Sequence, residues 1–543
     1  MPSDLHLLSL AEAARLIGSG ELSPVELCEA YLERIGENND ALRAFLTVTD
    51  DAARRAAQRA EREIRIDGPR SPMHGLPYAV KDVYDTAGVR TTGHSALTRD
   101  RVPTQDAECV VRLDQAGAVM LGKLATHEFS TGGPSWDVPW PPARNPWRLD
   151  RFPGGSSSGA GAAVAAGLAP AALGGDTGGS IRLPAAYCGL VGLKPTYGRV
   201  SKRGVLPLSW TLDNCGPLTW TVEDAAIMLQ VLAGHDPEDP GSAKRPVPDF
   251  CADLARGVKG LRIGWVRHFY ERDIVATDAV GTAMQDAVSV LRSLGAEVVE
   301  VELPSLDAFQ ACYRTIVMAE AFSVYEDLLR RRPEDFGASF RYRILSGALI
   351  EASDYVSALR MQRELMDVTL QCLRDVDVLL TATTPGPAPV QHQMTIKASF
   401  NTPPLTLPFN LAQCPALSLC NGFTPDGMPL SMQIVGRPFD EARVIRVAAA
   451  YERETPWRGQ RPAMFPADEP ERAPDPEPGG SADTVYATLA QRMGLNLPAE
   501  IASELAAVMP LTDEIVEAVR APRPYGDEPG PTFRLPVGGE ERP

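Results

Sequence analysis

Apolar positions near the start of the chain recur at helical spacing behind residues that commonly begin helices. Ser9 and Ser23 are typical N-caps, and residues 24–35 carry apolar side chains three or four positions apart. A short apolar run, residues 77–80, then ends at Lys81. This pattern predicts a helical opening followed by a strand with Lys81 at its end, where α/β enzymes place working side chains.

Strand and helix patterns alternate further along the chain. Residues 261–266 and 297–301 are predicted strands, and residues 279–294 between them have the periodicity of an amphipathic helix. Such alternation predicts an α/β fold whose sheet is covered by helices on both faces.

Composition changes abruptly near Pro466. Residues 466–480 contain five prolines and five acidic residues, which is typical of an extended linker. Two helical patterns follow, at 482–493 and 500–508, and then a proline-rich tail. We therefore predict a catalytic domain at 1–465, a linker at 466–480, and a module of two helices plus an extended arm at 481–543.

Charge and cysteine usage narrow the class of protein. The 53 basic and 70 acidic residues give a net charge of −17, which argues against general binding to nucleic-acid phosphates. The nine cysteines are scattered and include no C-x-x-C pair, so neither a zinc ribbon nor a disulfide framework is expected. The N-terminus lacks the pattern of a signal peptide. We expect a cytoplasmic protein with neither nucleic acid nor a membrane as partner.

The most informative stretch consists of two Gly/Ser-rich loops, 152–161 and 174–184, on either side of a small-residue helix. A flexible linker has no reason to run into an Ala-rich helix. A phosphate loop needs a lysine that neither loop supplies. The G-x-S-x-G match at 155–159 follows a poor strand, and an aspartic-protease dyad would need a second Asp-Thr-Gly.

The remaining interpretation is that the loops hold a serine in place as a nucleophile. The glycines before Ser180 allow the backbone amides of Thr177, Gly178, Gly179 and Ser180 to face a developing oxyanion. A serine nucleophile needs a base, and none of the seven histidines has a recognisable catalytic context. The alternative base is a lysine whose pKa is lowered by burial.

These residues resemble the amidase signature hydrolases. The segment from Gly75 to Asp82 is similar to the family's lysine motif, and Ser156 stands 24 residues before Ser180, as the family's two serines do. The resemblance spans about residues 5–465 and implies the amidase-signature fold around a central mixed sheet. It also implies a relay in which Lys81 is the base, Ser156 lies in a cis peptide, and Ser180 is the nucleophile.

Other residues are assigned around this relay. Ser157, Asp176 and Arg182 are expected to support the loops, the last two as an ion pair. Trp136 and Trp140 are candidates for the substrate pocket. The relay requires neither a metal nor a cofactor.

The resemblance implies hydrolysis of a carboxamide, or of a related carbamate or urea C–N bond, in a small-molecule substrate. The alternative is the glutamine-hydrolysing, ammonia-donating subunit of a tRNA amidotransferase. In such subunits the loop arginine is commonly followed by glutamine, whereas Leu183 follows Arg182 here, which favours a free hydrolase. A binding protein without chemistry is a third hypothesis, but all three relay residues are present.

The last 63 residues resemble the small accessory subunits of amidase and amidotransferase complexes. We expect Tyr525 and Phe533 in the arm to anchor it on the catalytic domain or on a neighbouring protomer, so a homo-oligomer is possible.

Overall fold

A computed structural model describes residues 4–395, 402, 404–464, 484–495 and 497–520. The predicted linker at 466–480 and the arm with Tyr525 and Phe533 lie outside these residues. The strands in the described part of the chain are β1 Phe45–Val48, β2 Pro77–Lys81, β3 Val119–Leu124, β4 Ala171–Asp176, β5 Val191–Lys194, β6 Asn214–Thr219, β7 Arg262–Trp265, β8 Glu297–Glu300, β9 Val378–Ala382, β10 Ala416–Phe423 and β11 Pro429–Val435.

Helices connect and flank these strands. The α-helices of the same residues are α1 Leu10–Ser19, α2 Pro24–Leu42, α3 Asp50–Asp67, α4 Glu108–Gln115, α5 Ser158–Ala165, α6 Arg182–Cys188, α7 Val222–Leu232, α8 Asp278–Ser293, α9 Leu306–Arg331, α10 Ala338–Ile344, α11 Ala352–Asp375, α12 Leu407–Leu411, α13 Glu441–Arg453, α14 Thr484–Arg492 and α15 Ala499–Val519.

The strands form one mixed sheet in the order β1-β3-β2-β4-β6-β5-β10-β11-β9-β7-β8. Every residue of β2, β5, β6, β9 and β11 is buried. Side chains alternate between the two faces of a strand, so full burial means that both faces of the central sheet are covered. The predicted α/β class with a central mixed sheet is confirmed.

Helices α1 and α2 begin at the predicted residues, and a serine caps each of them. The Ser9 side chain accepts a hydrogen bond from the Glu12 amide and completes a capping box. The Ser23 side chain caps α2. This helix continues beyond the periodic segment to Leu42, which is fully buried, and ends at Arg43 in a left-handed conformation.

Two parallel strands bring the predicted relay together. β2 pairs with β4, with Ala79 opposite Ala172 and Val80 opposite Leu173. The carboxyl ends of parallel neighbours lie at the same edge of a sheet. Lys81, the last residue of β2, therefore lies beside the turn that follows β4.

Helix α15 extends further than its sequence pattern predicts. It continues through Pro510 to Val519, although proline usually ends a helix. Ile515, Val516 and Val519 beyond the proline are buried. Their burial stabilises the added turns, which local propensity alone does not predict.

Candidate active site

The lysine and the first serine of the predicted relay are in hydrogen-bond contact. Lys81 Nζ lies 2.7 Å from Ser156 Oγ. Both residues are buried, with 0% and 3% of their surface exposed. The Gly155–Ser156 peptide is cis. Ser156 and the partly exposed Ser180 both line one cavity of about 130 Å³, and Lys81 adjoins it through its contact with Ser156.

Burial makes Lys81 suitable as a base at neutral pH. Desolvation lowers its pKa from 10.5 to about 7, opposed by the negative charges of Asp213 and Asp176. An amine with this pKa is substantially neutral near pH 7 and can accept a proton. The hydrogen bond between Lys81 and Ser156 allows the Ser156 hydroxyl to pass its proton directly to the amine.

Asp176 and Arg182 form the expected ion pair beneath the turn that carries Ser180. The Arg182 guanidinium donates to both carboxylate oxygens at 3.0 and 3.1 Å, and both side chains are fully buried. Burial alone would raise the pKa of Asp176, but Arg182 holds it at about 2. Asn410 and Gln433 also contact the guanidinium; both lie in segments that resemble the family, but the sequence did not indicate this role for either.

The turn itself restricts which amides can stabilise an oxyanion. The Gly179 amide donates to Asp176 Oδ1 at 2.8 Å, so it is directed at the carboxylate and not at the cavity. The predicted set of four donors is thereby reduced to Thr177, Gly178 and Ser180. These three residues all line the cavity.

Ser157, which was predicted to support the active-site loops, bonds to the backbone of β4. Its hydroxyl donates to the Gly175 carbonyl and accepts from the Gly175 amide, both at 3.2 Å. Because Gly175 belongs to β4, this pair of bonds ties the loop of Ser156 to the strand that precedes Ser180.

The two tryptophans do not belong to the described lining of the cavity. The Trp140 carbonyl lies 2.9 Å from His94 Nε2, and its ring packs edge-on against that imidazole. The predicted pocket role of Trp136 and Trp140 therefore finds no support. Proximity to the first loop in sequence was the basis of this prediction.

Several residues that line the cavity were not predicted from the sequence. His127 packs against the Gly155 backbone, where a Cβ would come within 2.0 Å of its ring. Burial lowers the pKa of His127 to about 3, helped by the charge of Lys81, so it is neutral under working conditions. Tyr313, Arg314 and Arg343 form another wall. No local motif marks these residues.

Comparisons with known proteins show the family to which the chain belongs. The Amidase family model matches residues 26–445. The chain is 40% identical over 487 residues to the A subunit of glutamyl-tRNA(Gln) amidotransferase from Chloroflexus aggregans, covering 85% of this chain and 99% of that protein. The peptide amidase of Stenotrophomonas maltophilia matches with a TM-score of 0.73 and 31% identity, over 84% of this chain and 98% of that one.

A third match is to the structure of a vestigial protein complex that reveals the evolutionary origins of an s-triazine catabolic enzyme. Its TM-score is 0.77 at 34% identity, over 82% of this chain and 98% of the other. The chain belongs to the Amidase family. It is an amidase signature enzyme, as the motifs predicted.

These relatives correct one expectation. The prediction that nucleic acid plays no part is wrong, because the relatives include subunits of an amidotransferase named for glutamyl-tRNA(Gln). A negative net charge describes this chain's own surface, and it does not exclude a complex in which another subunit contacts RNA. Within the described residues, no helix is both long and apolar enough to cross a bilayer.

Proposed function

We propose that the chain hydrolyses the C–N bond of a carboxamide through a serine acyl-enzyme, with Lys81, Ser156 and Ser180 as the relay. The observation that carries this proposal is the 2.7 Å contact between the buried Lys81 amine and Ser156, beside a cavity that also contains Ser180.

The relay accounts for each proton in the reaction. Neutral Lys81 takes the proton of Ser156, and Ser156 takes that of Ser180 as the Ser180 oxygen bonds to the substrate carbonyl carbon. When the tetrahedral intermediate collapses, the C–N bond breaks and the relay returns a proton to the leaving nitrogen. Water then attacks the acyl-serine by the same route, releasing the acid and restoring Ser180.

Active-site acylation tests this proposal directly. Ser180→Ala should form no acyl-enzyme with any amide, as intact-protein mass spectrometry would show, while its melting temperature stays that of the wild type. Ser289→Ala, on an exposed position of α8, is the matched control and should acylate normally. Continued acylation of Ser180→Ala would refute the assignment.

The relatives favour a second candidate function, the glutamine-hydrolysing and ammonia-donating subunit of a tRNA amidotransferase. The chain is 40% identical to one such subunit over 99% of that protein's length. This identity supports the amidotransferase function better than the free hydrolase that Leu183 indicated. Glutamine should then be cleaved in preference to aliphatic amides, anilides, carbamates and ureas. The rate should rise when glutamyl-tRNA(Gln) and partner subunits are added; no ammonia from glutamine under either condition would exclude this function.

We further propose that residues 481–543 act as an accessory module fused to the catalytic domain. The described part packs on α9, α10 and α11, where Glu504 makes a paired contact with Arg341 and Arg520 one with Asp354. Truncation after Glu469 should lower the melting temperature while Ser180 still acylates. An unchanged melting temperature would mean that the module contributes nothing to stability.

We place the enzyme in the cytoplasm. Its nine cysteines are all free thiols, which suits a reducing compartment. Fractionation of cells producing the full-length chain tests this, and recovery from the medium or periplasm would contradict it.

A further inference from the structure

The pairing of two strands places Asp213 beside the nucleophile turn. Strands β4 and β6 are antiparallel, and Asp176, the last residue of β4, lies opposite Asn214, the first residue of β6. The residue after Asp176 and the residue before Asn214 are therefore the next neighbours along this pair of strands. They are Thr177, which begins the turn that carries Ser180, and Asp213. The register of the sheet thus sets a carboxylate against the start of the turn.

The Asp213 carboxylate accepts hydrogen bonds at both of its oxygens. Oδ1 accepts from the Thr177 hydroxyl at 2.6 Å, and Oδ2 accepts from the Leu208 and Ser209 amides, each at 2.9 Å. Burial raises the pKa of this carboxyl group, whereas the charge of Lys202 and the three donors favour its ionised form. A charged acceptor makes the bond from Thr177 stronger than a bond between neutral groups.

The segment that supplies the two amides is itself bonded to helix α9. The Ser209 hydroxyl donates to the Glu320 carboxylate at 2.5 Å, and the Thr211 hydroxyl donates to the same group at 2.9 Å. Glu320 is a buried residue of α9. Asp213 therefore joins the start of the nucleophile turn to a segment that a long helix holds in place.

The nucleophile turn is thereby held at both of its ends. Asp176 accepts hydrogen bonds from the Gly179 and Ile181 amides, at 2.8 and 3.2 Å, and Asp213 holds Thr177. Threonine is β-branched and has few side-chain rotamers, so fixing its hydroxyl also limits the orientation of its backbone. Since the Thr177 amide is one of the three remaining oxyanion donors, the bond to Asp213 limits where that donor can point.

Asp213 also acts by charge on the proposed base. Lys81 Nζ lies beside the end of β4, because a Cβ on Gly175 would be 3.7 Å from it. The titratable groups that act on or respond to this amine are Asp213, Asp176, Cys215 and His127. Burial lowers the pKa of Lys81 to about 7, and of the groups that oppose this effect Asp213 raises the pKa most.

We propose that Asp213 is a positioning residue for the relay, which holds Thr177 at the start of the nucleophile turn and keeps a negative charge within electrostatic reach of Lys81. This inference rests on the amide hydrolysis proposed above. Asp213 is absent from the described lining of the cavity that contains Ser180, and it lines a neighbouring cavity of about 280 Å³ instead. It therefore acts through Thr177 and Lys81 and not on the substrate.

A pH profile of kcat/KM separates this role from a merely structural one. The substrate is whichever of butyramide, acetanilide and glutamine the wild type cleaves fastest. Asp213→Asn removes the negative charge at nearly constant size, so the pKa of Lys81 should fall further and the acid limb should move to lower pH. A residue that only stabilised the fold would lower the melting temperature or the active fraction and would leave the limb in place.

Variants of Thr177 test the hydrogen bond without removing the charge. Thr177→Val lacks the hydroxyl, so kcat/KM should fall about 10- to 100-fold through misplacement of the turn, while the acid limb stays at the wild-type pH. Thr177→Ser keeps the hydroxyl and should restore most of the loss. If Asp213→Asn does not fold, these two variants still decide.

A double variant shows whether the two residues act through one bond. At about pH 9, above the acid limb, Asp213→Asn combined with Thr177→Val should be about as slow as the slower single variant, because both substitutions remove the same interaction. Asp286→Asn, at an exposed position of α8, is the control and should keep both the wild-type rate and the wild-type limb.

The outcomes separate this inference from the proposed function. The positioning role is overturned by a wild-type acid limb in Asp213→Asn, by full activity in Thr177→Val, by no recovery in Thr177→Ser, or by losses that multiply in the double variant. Each of these results leaves the amidase proposal intact. If no amide acylates Ser180 in the wild type, the proposed function itself fails.

Discussion

Replacing Lys81, the proposed base, should make the protein more stable. Burial lowers the pKa of Lys81 from 10.5 to about 7, a difference that corresponds to roughly 5 kcal/mol. Lys81→Met removes the amine at similar side-chain length and loses one hydrogen bond, to Ser156, worth about 1 kcal/mol. We therefore expect a gain of a few kcal/mol in the free energy of unfolding at pH 7, together with a loss of several orders of magnitude in kcat/KM.

The gain should depend on pH in a defined direction. The unfolded chain keeps the Lys81 proton up to about pH 10.5, whereas the folded protein loses it above about pH 7. Between these values the unfolded state binds more protons, so wild-type stability rises with pH. Lys81→Met lacks this contribution, and its advantage should be greatest at pH 7 and below and should vanish near pH 10.5.

Urea unfolding followed by tryptophan fluorescence at pH 7, 8, 9 and 10 measures the difference between the two proteins. Lys259→Met, at an exposed lysine, controls for the substitution and should show no pH-dependent gain. If the free energies of unfolding of wild type and Lys81→Met differ by the same amount across this pH range, the reasoning is refuted. The difference would then not come from the protonation of a buried amine.

Four further predictions concern the buried charges and the C-terminal contacts. Lys123→Met should destabilise the fold by about 3 to 5 kcal/mol in urea, because it leaves Asp82 buried without its ion-pair partner at 3.4 Å. Asp176→Asn should lower stability by a similar amount, since the buried Arg182 loses its counter-ion; unchanged urea midpoints would contradict both. Glu504→Gln should lower the free energy of unfolding by only about 1 kcal/mol, because the carboxylate that pairs with Arg341 is partly exposed. A larger loss of stability would show that this ion pair is more than a surface contact. In a pH–rate profile, log kcat/KM should fall with a slope of about 1 below pH 7 as Lys81 of the free enzyme takes up a proton; a flat profile down to pH 4 would exclude a lysine base.

Local sequence patterns predicted the fold class and the candidate relay. The end of β2 follows from a short apolar run, and the positions of Ser156 and Ser180 follow from glycine-rich loops at a fixed spacing. The N-caps at Ser9 and Ser23 were predictable for the same reason. In each case a few neighbouring residues determine the local conformation.

The wall of the cavity that contains Tyr313, Arg314 and Arg343 was not predictable in this way. Arg314 and Arg343 lie far apart in sequence, in α9 and α10, and only the packing of these helices brings both beside the cavity. Trp136 and Trp140, predicted as pocket residues, are absent from the described lining of the cavity, because nearness in sequence to an active loop does not determine where a side chain lies. A similar limit explains α15, whose continuation past Pro510 depends on burial against other helices.

The elements that carry the proposed relay differ from those that carry another wall of the cavity. Strands β2 and β4 are neighbours inside the sheet and bring Lys81 next to the nucleophile turn. Tyr313, Arg314 and Arg343 belong to α9 and α10, and one hydrophobic cluster joins these helices to α15 through Met318, Phe340 and Leu505. Substitutions in α9 and α10 can therefore alter the shape and charge of the cavity without changing the strands that hold Lys81 in place. Because α15 packs against the same two helices, the described part of the C-terminal module contacts the elements that form this wall.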